Sequence, residues 1–185
     1  YADGKGGFVT LPKGSTDAAL TPHHVDRGKL FVMVGHAQFS STHPKERFGG
    51  HPSINAKILQ ENIELTRFPV PNGDDHKDTT GYPGLVRAAD LMGQMSDTGY
   101  IRKIPALFYE FKETGTHGKL AYETPDDLKN NYPKFFWSSA VNYLKPAISF
   151  LKVTQTGQQY LNNLFSNVSR HPQANLTCRF LLSSI

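Results

Sequence analysis

Thr124-Pro125-Asp126-Asp127-Leu128, at the head of a run that reaches Leu151, is the stretch whose reading settles the fold class. A threonine hydroxyl accepts from the free N–H groups at a helix start. Proline costs nothing at the first helical position, where its missing N–H has no partner, and two acids there meet the positive end of the helix dipole. Behind this start Leu128, Tyr132, Phe135, Phe136, Val141, Leu144, Ile148 and Leu151 recur at helical spacing. Pro133 and Pro146 fall inside the run and are expected to kink or break it.

The same period extends in both directions. Downstream, Tyr160, Leu161, Leu164, Phe165 and Val168 predict a last helix. Upstream, Ile101, Ile104, Leu107, Phe108 and Phe111 predict one ending near Gly115, with Pro105 marking its first turn. Leu85, Ala88, Ala89, Met92 and Met95 predict another from about Gly84 to Met95. His51-Pro52 reads as N-cap and first position of a helix carrying Ile54, Ile58, Leu59, Ile63 and Leu65, which stops before Pro69. Runs of helix with short connections make the expected fold an all-α bundle. Residues 1–50 are expected as an irregular, loop-rich segment of the same domain, 51–170 as its helical core and 171–185 as a C-terminal tail. Within the first segment, Leu30-Phe31-Val32-Met33-Val34 fits a strand or a short helix equally.

The chain has 185 residues, 38% hydrophobic and 19% charged, as in ordinary globular domains. Its formal charge of +4 helps an anionic ligand approach, but no basic block or RNA-binding motif supports a nucleic-acid partner, which ranks last. A single cysteine, Cys178, excludes an intramolecular disulfide framework and fits a cytoplasmic location. No apolar run approaches the ~20 residues of a membrane span.

Asp90 is the first candidate for chemistry. It lies in Val86-Arg87-Ala88-Ala89-Asp90-Leu91-Met92, beside apolar residues, where a buried carboxylate needs a cationic partner: a metal, or Arg87 three positions earlier. Eight histidines are a second supply of ligands, none in an HExxH spacing. His51 stands out among them because its helix leads toward Asp90. Arg27, Lys29, Lys45 and Arg47 form a basic set suited to phosphate oxygens or to solvent. The aromatics Phe108, Tyr109, Phe111, Phe135, Phe136 and Trp137 read as core packing before a stacking box.

Val86-Arg87-Ala88-Ala89-Asp90-Leu91 resembles the helix that closes the H…HD…D motif of HD-domain metal-dependent phosphohydrolases. Phe48-Gly49-Gly50-His51-Pro52 is similar to the His-Pro helix preceding it in several subfamilies. Thr10 to Pro22, His24 to Val32, Glu64 to Pro71 and Tyr100 to Phe111 resemble the same family, so that the likeness spans roughly residues 8 to 165. It implies an HD-type helical bundle that hydrolyses a phosphomonoester or phosphodiester, the substrate being a nucleotide or small phosphorylated metabolite. It also implies a divalent metal ion, with Fe, Mn, Mg and Zn all compatible, bound by Asp90 with help from His51. Arg27, Lys29, Lys45 and His24 are then expected to meet the substrate phosphate. No His-Asp dipeptide occurs in these 185 residues. The first histidine and the His-Asp pair are therefore expected upstream of Tyr1. The competing expectation is a catalytically inactive HD-like module that binds a nucleotide or partner protein.

Overall fold

The computed structural model describes residues 1–34 and 53–169. Among these residues eight α-helices follow in chain order: α1 His24–Val34, α2 Ala56–Leu65, α3 Tyr82–Met95, α4 Tyr100–Glu113, the single turn α5 Thr116–Lys119, α6 Pro125–Phe135, α7 Val141–Leu151 and α8 Gln155–Ser169. Among the described residues the fold is all-α, with one isolated antiparallel bridge, Ala2 to Phe8.

The α6 start is built as its residues dictate. The Thr124 hydroxyl accepts from the Asp127 N–H at 3.2 Å, and the Asp127 carboxylate accepts from the Thr124 N–H at 2.8 Å. Pro133 does not break the run. Three residues after it, Phe136–Ala140 winds as a π-turn that leads directly into α7, which carries Pro146 without interruption. Pro105 likewise sits inside α4, which begins five residues earlier at Tyr100. The expected first turn is corrected on this point: a proline so near the start removes a single ladder bond. Leu30–Val34 is helical, as the last part of α1.

The α2 start also differs from expectation. Its cap is Asn55, whose side-chain oxygen accepts from the Lys57 and Ile58 N–H groups. His51 and Pro52, read as the cap and first turn, lie outside the described residues, as do His36, His43, Lys45, Arg47 and Cys178.

The core lies where α3, α4, α6, α7 and α8 meet, around Ala88, Phe136, Leu144, Leu164 and Val168, each with no exposed surface. Phe136 packs there; Phe108 is buried beside the His117 ring, while Tyr109 is exposed. Buried Asn167 closes one end. Its side-chain amide donates to the carbonyls of Met95 (2.9 Å) and Asp97 (2.8 Å), satisfying acceptors that the C-terminus of α3 leaves free. Helices α1 and α2 form a pair that reaches the core through α2 on α3.

The N-terminal nine residues fold back on themselves, with the Asp3 side chain accepting from the Lys5 and Gly7 N–H groups. Gly4, at φ +83°, seats this turn against α1: a Cβ there would stand 2.2 Å from the Asp26 carbonyl carbon.

Candidate functional site

Helical rotation decides where Asp90 points. Each residue turns about 100°, so Gly84, Ala88, Met92 and Met95 share the buried face of α3, while Asp90, two positions from both Ala88 and Met92, lies about 200° from each. Asp90 is exposed, and its carboxylate accepts from the Gln94 side-chain amide at 3.2 Å. The expected apolar burial is therefore corrected: Ala89 and Leu91 are neighbours in sequence, not the walls of a pocket.

The alternative partner, Arg87, lies only about 60° around the helix from Asp90 but on the buried side. It is 2% exposed and donates to three backbone carbonyls, those of Leu65 (2.6 Å), His76 (3.0 Å) and Asp78 (3.5 Å). Its guanidinium also lies over the Tyr143 ring, 4.8 Å from the centroid. Arg87 thus fastens the loop after α2 to α3 and α7. Burial without a paired carboxylate pushes its pKa down from the usual arginine value.

Beside Asp90, α3 carries a second apolar surface. Tyr82, Val86, Ala89 and Gly93 form an exposed stripe at helical spacing. The stripe borders an open groove of about 390 Å³ between α3, α7 and α8, lined by Leu85, Ala89, Gly93, Phe150 and Tyr160 among others, none charged.

The charged residues that the fold does gather lie elsewhere, between α1, α2 and the loop after α2. Arg67 is their centre. Its guanidinium donates to Asp26 (2.6 Å) and to both oxygens of Glu64 (2.5 and 3.0 Å). Lys29 reaches Glu64 at 2.6 Å, and Lys5 lies 3.4 Å from Asp26. The buried His76 ring has Glu64 on one side (3.3 Å) and Asp75 on the other (2.9 Å). Arginine's planar fork meets both Glu64 oxygens and Asp26 in one fixed geometry, which the point-like ammonium of a lysine does not provide.

This network sets an acid limit on stability. The Arg67 hydrogen bond, with help from Lys29 and His76 and against the effect of burial, holds the Glu64 carboxyl down at about 2, from an ordinary 4.5. Asp26 is lowered for the same first reason, the hydrogen bond from Arg67. A carboxyl whose folded pKa is depressed contributes fully above its unfolded value and loses that contribution as pH falls through the folded one. Between pH 4.5 and about 2, then, the fold should lose on the order of 2 kcal/mol through Glu64. Glu64→Gln should flatten this acid limb in denaturant titrations run at a series of pH values. An acid limb identical to wild type would show that Glu64 is not its source.

The substrate-contact candidates are distributed around this network rather than around Asp90. Lys29 is engaged by Glu64. Arg27 lies over the Tyr1 ring, 5.7 Å from its centroid. His24 is exposed, with its Nδ1 2.5 Å from the Thr21 carbonyl oxygen. These three share no partner with Asp90. Lys45 and His51 lie outside the described residues. Sequence reasoning missed Arg67, Glu64 and Asp26 as a unit. The one signal available was the i,i+3 spacing of Glu64 and Arg67 at the end of α2; Asp26 comes from a different helix.

Residues 1–173 match the model of a family described as Npun_R2479-like. No curated protein and no solved structure matches the chain.

Proposed function

The chain belongs to the Npun_R2479-like family, and we propose that it is a metal-dependent phosphohydrolase of the HD type in which Asp90 supplies a carboxylate to a divalent-cation centre. The reading is supported by the resemblance of residues 86–91 to the aspartate helix of that class. The structure adds accessibility alone, since the burial from which a cationic partner was expected is absent: Asp90 faces outward, and among the described residues no lysine or arginine is paired with it. A carboxylate held this way is open to a cation, whereas those of Asp26 and Glu64 are already neutralised.

The described residues do not complete a metal centre by themselves: among them no group of three His, Cys, Asp or Glu side chains could hold an ion. Asp90 is then one ligand of a set whose other members come from outside the described residues, His51 being the one the resemblance names. A divalent cation, when bound, supplies a water acidic enough to ionise near neutral pH and positive charge for phosphoryl oxygens. The substrate is a nucleotide or small phosphorylated metabolite; the phosphate roles of His24, Arg27, Lys29 and Lys45 rest on the resemblance alone, since the first three lie around the α1–α2 network rather than around Asp90. A cytoplasmic location belongs to the same reading; among the described residues no helix is long and apolar enough to cross a membrane.

The second reading is a helical module that binds a nucleotide or partner protein without turnover, favoured by the lack of a His-Asp dipeptide in these 185 residues. Metal content by elemental analysis, with hydrolysis of a generic phosphodiester, separates the two. Wild-type protein should carry a divalent metal and hydrolyse the ester. Asp90→Ala, at an exposed position that leaves the fold intact, should lower metal content at least about tenfold and abolish turnover. Equal metal content in wild type and variant ends the proposal. Nucleotide binding with neither metal nor hydrolysis establishes the second reading.

A further inference from the structure

Asn72-Gly73 lies in the loop between α2 and α3, at the entrance to the 3-10 turn Asp74–His76. The chain has ten asparagines, and Asn72 alone is followed by glycine. The side-chain amide carbon of an asparagine is within reach of the next residue's backbone nitrogen, and the two can close a five-membered ring. A Cβ on that next residue hinders the approach, and glycine has none. A fold suppresses the reaction where it bonds one of the two groups. Asn130 and Asn162 are exposed, but the nitrogens that follow them belong to Asn131 and Asn163, inside α6 and α8. There the helical ladder holds each N–H. Nothing holds Asn72-Gly73 in this way. Both residues are exposed, and among the described residues neither the Asn72 side-chain amide nor the Gly73 N–H has a hydrogen-bond partner. The Asp75 carboxylate opposes the reaction, since it disfavours loss of the Gly73 proton; it lies so near that a Cβ on Gly73 would stand 2.3 Å from its Oδ1. Such a field slows ring closure but leaves both reacting groups free.

We propose that Asn72-Gly73 is a site of spontaneous deamidation and isoaspartate formation, and that the isoaspartate form loosens the loop's hold on α2 and α3. The Gly73 nitrogen bonds to Asn72 Cγ, the Cγ–Nδ2 bond breaks, and ammonia leaves with the proton from Gly73. Water then opens the succinimide at either carbonyl, giving aspartate or isoaspartate. Both products add a negative charge to a loop that already carries Asp74, Asp75 and Asp78. Isoaspartate also inserts a methylene into the backbone immediately before Gly73, whose carbonyl accepts from the His76 N–H at 3.1 Å. The far end of that turn is clamped. His76 is buried, its ring faces Glu64 at 3.3 Å, and its carbonyl accepts from Arg87 at 3.0 Å. A longer backbone at the entrance strains or releases this clamp. The inference does not depend on Asp90 binding a metal.

Storage of the full chain in warm, mildly alkaline buffer, followed by peptide mass spectrometry and an isoaspartyl methyltransferase assay, tests this. The peptide holding Asn72 should gain the mass of an amide-to-acid change and accept methyl groups. Its rate in the folded chain should lie within about tenfold of its rate in urea-unfolded chain, as for a site that needs no opening, while Asn130 and Asn162 stay amidated in the fold. Asn72→Gln, at the same exposed position, would need a six-membered ring and should leave that peptide without methyl acceptance. The deamidated fraction, isolated by ion exchange, contains isoaspartate and should melt below Asn72→Asp, which has the same charge on an ordinary backbone. An Asn72 peptide that stays unchanged in the folded chain while the unfolded chain converts overturns the proposal. So does methyl acceptance in that peptide that survives Asn72→Gln. Equal melting of the deamidated fraction and Asn72→Asp overturns the effect on the loop.

Discussion

Arg87→Met is expected to destabilise the fold by about 3 kcal/mol, measured as a lower denaturant midpoint at unchanged slope. Methionine keeps much of the side chain's length and apolar stem. What it removes is a set of donors to the Leu65, His76 and Asp78 carbonyls and a cation over Tyr143. Two of those donors act in buried surroundings, where an acceptor left unpaired costs about 1–3 kcal/mol. Relief of the guanidinium's own desolvation works in the other direction, as it does for other buried ions. The donors should win because one planar group serves three acceptors that come from the end of α2 and the following loop, and two of these, the Leu65 and His76 carbonyls, are bonded in buried surroundings. Arg87→Lys should recover little, since an ammonium is a compact centre that does not span three divergent carbonyls. A methionine variant within 0.5 kcal/mol of wild type would mean that desolvation cancels the hydrogen bonds, and that the loop is held by other contacts.

Gly157→Ala should be nearly as costly, on the order of 2–4 kcal/mol. In an ordinary helix the change would stabilise by roughly 1 kcal/mol, because alanine has the better propensity. Here the sign reverses for a steric reason. A Cβ on Gly157 would lie 2.1 Å from the Leu151 carbonyl oxygen and 2.7 Å from its Cα and carbonyl carbon. These are backbone atoms at the end of α7, so no side-chain rotation relieves the clash. The Gly157 N–H also donates to the Thr154 hydroxyl at 3.0 Å, which fixes the first turn of α8 against the end of α7. Displacing α8 would open the contact of Leu164 and Val168 with the core, both fully buried. Thermal unfolding of the alanine variant reads this directly. A melting temperature equal to or above wild type would show that α8 can shift without loss.

The two positions also show what could be read in advance. Gly157 looks like an unfavourable residue in a polar helix, and Arg87 like the i,i+3 partner of Asp90. Local spacing permits that pair, but the ion pair was not formed because α3 turns the guanidinium inward and the carboxylate outward. Asp90 as an exposed residue follows from its angle relative to Ala88 and Met92, once the buried face is known. The sequence leaves that face ambiguous, because Leu85, Ala89 and Leu91 extend the apolar surface most of the way around the helix.

Helix class and the α6 start were set by the sequence itself: apolar spacing and the Thr124 capping box act within a turn or two of chain, so they can be read without a fold, whereas Pro52 and Pro105 misplaced the starts of α2 and α4. Tertiary structure alone decided which charges meet and which remain free. Asp26, Glu64 and Arg67 come together, and Asp90 faces outward, because ionic contacts depend on how helices distant in the chain rotate and pack against one another, a relation that local spacing does not encode.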